Sequence, residues 1–240
     1  MIDHSHLRVP LIPGRGRWQP VTKARRLNLL QCGNAKRASR VDERRRHLLD
    51  VSRALFVEHG FHQTGVAQIA AASGIKVGQI YRDFASKEDI IAAMAEVDIA
   101  DFLDEASLRI AVEGKDALAI RAWVDRFVSI DDTVEECRMF TEILAEVGRN
   151  PRIADIHRRI DCRMRQCLAA ALEALAPASP ASEREALSDL IMVLGMGMMI
   201  RRVIDPARDW AVISRRIGGI VDATLDSLRQ DGVMAGGSAL

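Results

Sequence analysis

The stretch that most constrains the fold is residues 61–87, FHQTGVAQIAAASGIKVGQIYRDFASK. It predicts two short helices joined by a tight turn, with a third helix beginning behind them. Thr64 is placed to cap the first helix, and Gly74 is suited to end it because glycine adopts the left-handed conformation readily. Ile80 and Phe84 lie four residues apart, so both face inward from the second helix. Two short helices across a Gly-containing turn are typical of a helix-turn-helix.

Helical periodicity continues on both sides of this stretch. Upstream, Leu48, Leu55 and Phe56 form one apolar stripe of a helix over residues 41–59. Downstream, Ser86 with Asp89 three residues later predicts a helix start, and this helix is expected to run past residue 102 towards 108. No segment alternates apolar and polar residues as a surface strand would, so we predict an all-α fold. Further helices are predicted over residues 116–129, 133–147, 151–175, 182–203 and 208–228.

Charge divides the chain into two parts. Residues 1–88 hold 16 Lys and Arg against 7 Asp and Glu, whereas residues 89–240 hold 18 against 26. A basic front and an acidic back indicate that only the front meets a polyanion. Hydrophobic residues make up 48% of the chain and aromatic residues only 4%, which suits helices packed through aliphatic side chains.

A dozen positions in one register resemble the DNA-binding signature of the TetR (tetracycline repressor) family, and the similarity covers roughly residues 44–91. The resemblance implies a three-helix helix-turn-helix DNA-binding domain over residues 41–88. It also implies a larger helical domain for effector binding and dimerisation over residues 89–240. The pattern that carries the resemblance is Thr64-x4-Ile69-Ala70-x3-Gly74-Ile75-x2-Gly78-x-Ile80-Tyr81-x2-Phe84-x-Ser86-Lys87-Glu88.

The resemblance also implies which side chains face double-stranded DNA. The second helix of the motif would enter the major groove, and its tyrosine would bond a phosphate. The arginines of the first helix lie near its predicted N-terminus, where the macrodipole disfavours cations unless phosphates are close. The expected DNA contacts are Arg44, Arg45, Thr64, Lys76, Val77, Gln79, Tyr81, Arg82 and Lys87.

The last two predicted helices indicate a homodimer. Residues 190–200 are apolar all the way round, so a helix there must be buried on every side. Gly218 and Gly219 fall in the middle of the final helix and allow close packing. These helices resemble the family's dimer interface, with an ordinary intrachain core as the alternative. The expected interface residues are Met192, Met196, Met199, Trp210, Ile213, Ile217 and Ile220.

By the same resemblance, the helices between residues 100 and 200 enclose a pocket for a small hydrophobic effector. Methionine and aromatic side chains make adaptable apolar walls, although each one alone is also a common core residue. The expected lining is Trp123, Phe127, Met139, Phe140, His157 and Met164. The function so predicted is a regulator, in particular a repressor, released from a palindromic operator by this effector.

Two other functions stay open at this stage. Cys137, Cys162 or Cys167 could make the regulator responsive to oxidation, or the protein could be an architectural DNA binder without an effector. No phosphate loop, nucleophile elbow or two-histidine metal motif is present, so no enzyme, cofactor or metal is predicted.

Residues 1–40 carry nine Lys and Arg against Asp3 alone, with three prolines and no sustained helical period. We expect a disordered tail, either a basic arm that contacts DNA or an inert extension. No secretory signal pattern is visible and the longest apolar run is about half of the ~20 residues that span a bilayer. A cytoplasmic protein with no membrane contact is therefore expected.

Overall fold

The computed structural model describes residues 35–129 and 132–237, and all the regular structure in these ranges is helical. This confirms the predicted all-α fold. None of the helices in the described ranges has the length and apolar character needed to cross a membrane. The helices are α1 (Ala35–His59), α2 (Val66–Ser73), α3 (Val77–Asp83), α4 (Lys87–Leu103), α5 (Glu105–Glu113), α6 (Ala117–Asp125) with a 3-10 turn at Arg126–Val128, α7 (Val134–Val147), α8 (Pro151–Leu175), α9 (Ala181–Ile204) and α10 (Trp210–Gly237).

Side-chain caps stand at the starts of several helices, including the start predicted at Ser86. The Ser86 hydroxyl accepts the Asp89 amide at 3.3 Å and begins α4. Thr133 and Glu136 form a capping box at α7, with the Glu136 amide 3.2 Å from the Thr133 hydroxyl. Asn150 caps α8, ahead of the proline at its first position. Each of these signals depends only on residues within one turn, which is why the sequence reveals them.

Four predicted boundaries are wrong. α1 begins at Ala35 rather than near residue 41, so part of the predicted tail is helical, while residues 1–34 lie outside the described residues. α4 ends at Leu103, because Asp104 adopts a left-handed conformation (φ 40°) and caps α5 through its carboxylate. α9 begins at Ala181, directly after Pro180, instead of at residue 182, and α10 extends to Gly237 instead of ending at residue 228.

One hydrophobic core holds the helix-turn-helix together and extends beyond it. α1, α2 and α3 contribute side chains that are almost fully buried, and α4 adds three more. The same core also takes Met139 from α7 and Ile153 from α8, so it is completed by the C-terminal part of the chain. Its buried members are Leu48, Phe56, Phe61, Ile69, Ile80, Phe84, Ile90, Ile91, Met94, Met139 and Ile153.

A second, larger core lies among the helices from the end of α4 to α10. Trp123 and Phe127 pack at 5.2 Å between ring centroids, and Phe102 meets Phe127 edge-on at 4.9 Å. α8 contributes to both cores, with Ile153 in the first and Leu168 and Leu172 in the second. α8 therefore connects the two cores, and its 25 residues span about 37 Å at 1.5 Å per residue.

Gly195 is the position where the second core depends on the absence of a side chain. A Cβ atom on Gly195 would lie 2.3 Å from the carbonyl oxygen of Phe127, because α9 crosses the 3-10 turn there at close range. That neighbour is backbone, so it cannot rotate away as a flexible side chain could. The glycine allows α9 to approach the 3-10 turn.

We therefore expect Gly195→Ala to lower the free energy of unfolding by about 1–3 kcal/mol, the usual cost of overpacking a core. Gly78→Ala is the matched control, since a Cβ on Gly78 in α3 meets nothing within 4 Å. The control should be neutral or gain up to about 1 kcal/mol from helix propensity. Urea denaturation of both variants measures the difference, and an equally stable Gly195→Ala protein would contradict the close approach.

Candidate nucleic-acid interface

α3 presents a polar face to solvent above a fully apolar inner face. Ile80 is completely buried and Phe84, just past the helix, is nearly so. On the outer side Tyr81 is 52% exposed and Val77 is 41% exposed. Lys76 at the N-cap and Arg82 in the last turn are exposed as well. The helix therefore offers a hydroxyl, two cations and a small apolar group to a partner surface.

Asp83 fixes α3 to α1. Its carboxylate receives a bidentate pair of hydrogen bonds from Arg44, at 2.8 Å from Nε and 3.0 Å from Nη2. Arg45 donates to the Asp83 carbonyl oxygen at 2.7 Å, and its guanidinium lies 4.4 Å from the centre of the Phe84 ring. Gln79 Nε2 lies 3.4 Å from both Asp83 carboxylate oxygens. Such charge-assisted, bidentate contacts set a side chain's direction as well as contributing energy.

The prediction that Arg44 and Arg45 lie near the N-terminus of α1 is wrong. They lie about three turns into α1, away from the positive end of its macrodipole, so that end does not require nearby phosphates to offset it. Their guanidinium groups are engaged with α3 in this structure, and phosphate contact by Arg44 and Arg45 stays a prediction. Asp83 is the residue that sequence reasoning missed. A carboxylate in the last turn of a helix is unfavourable by itself, which was the available signal that it has a cationic partner.

Thr64 is a second correction. Its side chain is fully buried, and its hydroxyl lies 2.9 Å from the Gly60 carbonyl oxygen and 3.2 Å from that of Leu55. The N-cap of α2 is Gly65, whose amide is bonded by the Gln68 side chain at 2.7 Å. Since the Thr64 hydroxyl bonds the end of α1, the side chain neither caps α2 nor reaches the surface where DNA would lie.

Lys87 begins α4 and is directed inward. Its ammonium donates to the carbonyl oxygens of Phe61 at 2.7 Å and Thr64 at 3.2 Å, and it lies 4.1 Å from the centre of the Phe61 ring. Burial lowers the pKa of this ammonium, opposed by the nearby carboxylates of Glu88 and Glu146. Lys87 thus holds the turn between α1 and α2 in this structure, and its contact with a phosphate stays a prediction.

The predicted interface residues on α9 and α10 divide by burial. Met192, Trp210 and Ile217 are buried within the single chain, although Trp210 and Ile217 also line the groove between α9 and α10, and an interface role for these three stays a prediction. Trp210 also donates its indole N–H to the Asp205 carbonyl oxygen at 3.0 Å. Met196, Met199 and Ile213 are half-buried, whereas Ile220 is exposed. Helical period alone could not say which side of each helix faces its own chain.

An apolar groove of about 470 Å³ runs between α9 and α10, and large aliphatic side chains stand exposed beside it. Cβ atoms on Gly197 and Gly219 would meet nothing within 4 Å, so the surface is also open at these two positions. The exposed aliphatic residues of the two helices are Leu190, Val193, Ile204, Val212 and Ile220. The groove is lined by Val193, Leu194, Gly197, Met198, Arg201, Arg208, Trp210, Ile213 and Ile217.

The structure does not bring the predicted effector residues together in one pocket. Trp123 and Phe127 are buried in the second core, and Met164 packs against it. Met139 instead belongs to the core of the helix-turn-helix, because it lies on the face of α7 turned towards α1. Phe140 and His157 are half-buried. The effector pocket stays a prediction, and the interpretation of Met139 as part of the same wall as Trp123 is wrong.

A second groove, of about 660 Å³, lies between α5 and α8 on the surface. It mixes carboxylates, an arginine, a thiol and small apolar side chains, and none of the predicted effector residues lines it. Its lining is Glu105, Ala106, Leu108, Arg109, Val112, Glu113, Gln166, Cys167 and Ala170.

Comparisons with known proteins match both parts of the chain. The family described as bacterial regulatory proteins, tetR family, matches residues 48–94. The family described as the C-terminal part of BetI-type transcriptional repressors matches residues 117–229. Together these two matches extend over most of the helices from α1 to α10.

Curated relatives match part of the chain. The transcriptional repressor KstR2 of Mycobacterium tuberculosis is 43% identical over 54 residues, which is 22% of this chain and 27% of that protein. The transcriptional regulator UidR of Escherichia coli is 32% identical over 111 residues, 46% of this chain and 55% of that protein. The chain thus spans between about a quarter and about half of the length of these relatives.

Among solved structures, GusR of Salmonella enterica aligns with a TM-score of 0.59 at 20% identity, over 77% of this chain and 96% of that one. At this level of identity the likeness concerns the fold.

The contact between Asp83 and α1 gives a pH-dependent prediction. The Arg44 hydrogen bonds hold the pKa of the Asp83 carboxyl below its usual value. A lowered pKa in the folded state means that this carboxylate stabilises the fold above its ordinary pKa, and that the contribution is lost as the pH falls through the folded pKa.

Asp83→Asn should therefore lower the midpoint of thermal unfolding by about 2–4 °C at pH 7, and the difference from wild type should shrink below pH ~4. Asp50→Asn, on the exposed side of α1, is the matched control and should show no such dependence. Calorimetric scans between pH 2.5 and 7 measure both. A difference that stays constant over this range would contradict an ionised Asp83 in the fold.

Proposed function

Because this chain belongs to the TetR family of bacterial regulatory proteins, we propose that it is a transcription regulator whose α3 reads the major groove of DNA. The observation that carries this proposal is the outer face of α3. Lys76, Tyr81 and Arg82 stand exposed on it, while the inner face is locked to α1. Arginine and lysine pair with guanine edges in the major groove, and a tyrosine hydroxyl bonds a phosphate. Val77 offers a methyl-sized contact beside them.

Arg82→Ala tests the base-reading part of the proposal. Loss of a bidentate contact with a base costs about 1–3 kcal/mol of discrimination, so the variant should bind its preferred duplex and altered duplexes almost equally. Tyr81→Phe should instead weaken binding to all duplexes alike, because it removes a phosphate contact. Selection from a random pool followed by titration measures both.

Arg138→Ala is the control for Arg82→Ala, since Arg138 is an equally exposed arginine on α7, remote in sequence from the motif. It should leave both affinity and discrimination unchanged. Unaltered base preference in Arg82→Ala would place the reading surface elsewhere than α3.

The protein is proposed to act as a homodimer through the exposed aliphatic stripe and groove of α9 and α10. Contiguous apolar surface of this kind is usually covered by a partner. A second copy suits it, because a two-fold axis would set α9 and α10 against their own copies in a four-helix arrangement. Gly197 and Gly219 leave room for close helix approach. Two copies of α3 related by a two-fold axis imply a palindromic operator with half-sites spaced by about one helical turn or more.

Val193→Glu should convert the dimer into a monomer. Val193 is 66% exposed in the single chain, so the substitution is harmless to its folding. A carboxylate buried without a partner between two subunits costs several kcal/mol. Ile110→Glu is the matched control, because Ile110 on α5 is 65% exposed and lies away from α9 and α10. Sedimentation equilibrium distinguishes the two, and a dimer that survives Val193→Glu would contradict this interface.

We assign the repressor role and release by a small hydrophobic effector to the same proposal. The second core is built from aliphatic and aromatic side chains, and Met164, packed against its edge, has a flexible side chain that can adapt its shape. An effector that binds one arrangement of these helices better than another shifts the population towards that arrangement. Effector binding and operator binding then oppose each other with equal coupling free energies.

Regulation through Cys137 or Cys167 is disfavoured by their surroundings, whereas Cys162 is exposed and stays open as a site of oxidation. Burial raises the pKa of the Cys137 thiol to about 11, and burial also raises the pKa of the Cys167 thiol. Oxidation proceeds from the thiolate, so both thiols are poor sensors near neutral pH. The basic arm of residues 1–34 lies outside the described residues. It stays a proposal that its arginines and lysines add phosphate contacts.

A further inference from the structure

The turn between α1 and α2 is bonded by a carboxylate from α7. Glu142 Oε2 accepts the backbone N–H of Phe61 at 2.8 Å. The residue before it, Gly60, has φ 83°, and a Cβ there would lie 2.8 Å from the same oxygen. Gly60 is therefore required twice, for its backbone conformation and for the space that Glu142 occupies. Glu142 therefore lies against the helix-turn-helix, although it belongs to α7.

One helical turn further along α7, Glu146 lies against the same turn. Its side chain is only 9% exposed, and its Oε1 is 3.0 Å from His62 Nε2 and 3.9 Å from Arg149 Nη1. The charge of Glu146 also acts to raise the pKa of the Lys87 ammonium. A carboxylate buried to this degree is costly unless cations or donors surround it. Glu146 thus joins α7 to the first turn of α4 as well as to the α1–α2 turn.

The start of α8 contacts the start of α4 directly. Asn150 caps α8 with its Oδ1, which accepts the Arg152 amide at 3.0 Å, while its Nδ2 lies 3.4 Å from Glu88 Oε1. Arg152 forms an ion pair with Asp89. One short corner between α7 and α8 therefore bonds both ends of the DNA-reading unit, the α1–α2 turn before it and α4 behind it.

We propose that these four side chains, Glu142, Glu146, Asn150 and Arg152, form a latch through which the C-terminal helices set the position of α3 on DNA. This inference rests on the proposed function and adds its means of regulation. The latch residues are positioning residues, because none of them lies on the outer face of α3. They act through Phe61, His62 and the first turn of α4.

The route from the second core to the latch is α8. Leu168 and Leu172 near its C-terminal end are completely buried in the second core, and Ile153 at its N-terminal end is buried in the first. A change in packing around Leu168 would tilt α8. The N-terminal end of α8 carries Asn150 and Arg152 of the latch. In a dimer, such a tilt changes the spacing of the two copies of α3, and operator affinity depends on that spacing.

The experiment compares five full-length proteins: wild type, Glu142→Ala, Glu142→Gln, Arg152→Gln and Glu173→Gln. The probe is the duplex that the wild-type chain enriches most strongly from a random-sequence pool. Glu142→Ala removes the acceptor for the Phe61 amide, whereas glutamine keeps an acceptor oxygen at that place. Glu173→Gln makes the same charge change at an exposed position near the other end of α8. Arg152→Gln, on a half-exposed side chain, is a second latch variant.

Glu142→Ala should bind the duplex about tenfold more weakly, as expected for a lost hydrogen bond to a charged acceptor. Glu142→Gln should recover affinity to within about threefold of wild type, and Glu173→Gln should match wild type. Arg152→Gln should lie between Glu142→Ala and wild type. The dimer should be the same in all of the proteins, and affinity is measured far below the thermal midpoint of each, so that the stability lost with the Phe61 hydrogen bond does not by itself lower affinity.

Hydrogen exchange supplies a readout that does not depend on DNA. Amides of α2 and α3 should exchange faster in Glu142→Ala than in wild type, while those of α9 and α10 should not change. Equal exchange in the two proteins, or equal affinity, would overturn the latch. A loss of affinity that appears only close to the variant's thermal midpoint would overturn it too. If the wild type enriches no duplex, the proposed function fails, and the exchange result still decides whether the latch holds α2 and α3.

Discussion

The position of the DNA-facing helices depends on the contacts that Phe61 makes with α1, α4 and α7. Its ring is 3% exposed and meets Phe56 of α1 edge-on at 5.7 Å, with the Lys87 ammonium on the ring face. Its N–H is bonded by Glu142 and its carbonyl oxygen by Lys87. A buried backbone needs partners for both groups, and here they come from α7 and α4 instead of from a helix of the motif. The motif cannot move relative to these helices without breaking those bonds.

Packing in the first core also holds the helix-turn-helix against α7 and α8. Met139 is 8% exposed and Ile153 is 1% exposed, and both are contributed by helices that follow the motif by more than forty residues. Burial of such side chains contributes about 1.5–3 kcal/mol each, a large share of the stability of a small three-helix unit. Charge divides the chain near residue 88, but the hydrophobic core does not divide there. The DNA-reading unit is stable in its place because α7 and α8 complete it.

The success of the sequence reasoning follows from how local each signal is. The predicted helix start at Ser86 involves a neighbour within one turn and is present in the structure, and Thr133 and Asn150 cap α7 and α8 through similarly local contacts. The motif was recognisable because a dozen residues kept one register. The failures concern pairs that are distant in sequence, such as Arg44 with Asp83, 39 residues apart, and Phe61 with Glu142, 81 apart. No period or cap encodes which carboxylate will meet which donor across that distance.

The sequence also could not show which residues of α9 and α10 are buried within their own chain. A helix that is apolar all round offers no polar face from which its orientation can be read. Met192 and Val193 are neighbours in sequence, yet Met192 is 9% exposed and Val193 is 66% exposed. Only the packing of α9 against its own chain distinguishes them. The residues that suit a partner subunit are thus those that the single chain leaves exposed. They could be named only from the structure.

The distribution of cations changes what the basic front of the chain can do. Arg44 and Arg45 bond Asp83, Arg53 pairs with Asp98 at 2.6 Å, and Lys87 bonds two carbonyl oxygens. These four cations hold helices together and are already partly neutralised. The exposed cations of the described helix-turn-helix are Arg40, Arg46, Lys76 and Arg82. Each phosphate contact adds about 0.9 to the salt dependence of binding to duplex DNA, so net charge overstates the dependence that this surface alone can produce. A steeper dependence would have to come from the arginines and lysines that precede Arg40, and the salt slope therefore separates the basic tail from the α3 surface.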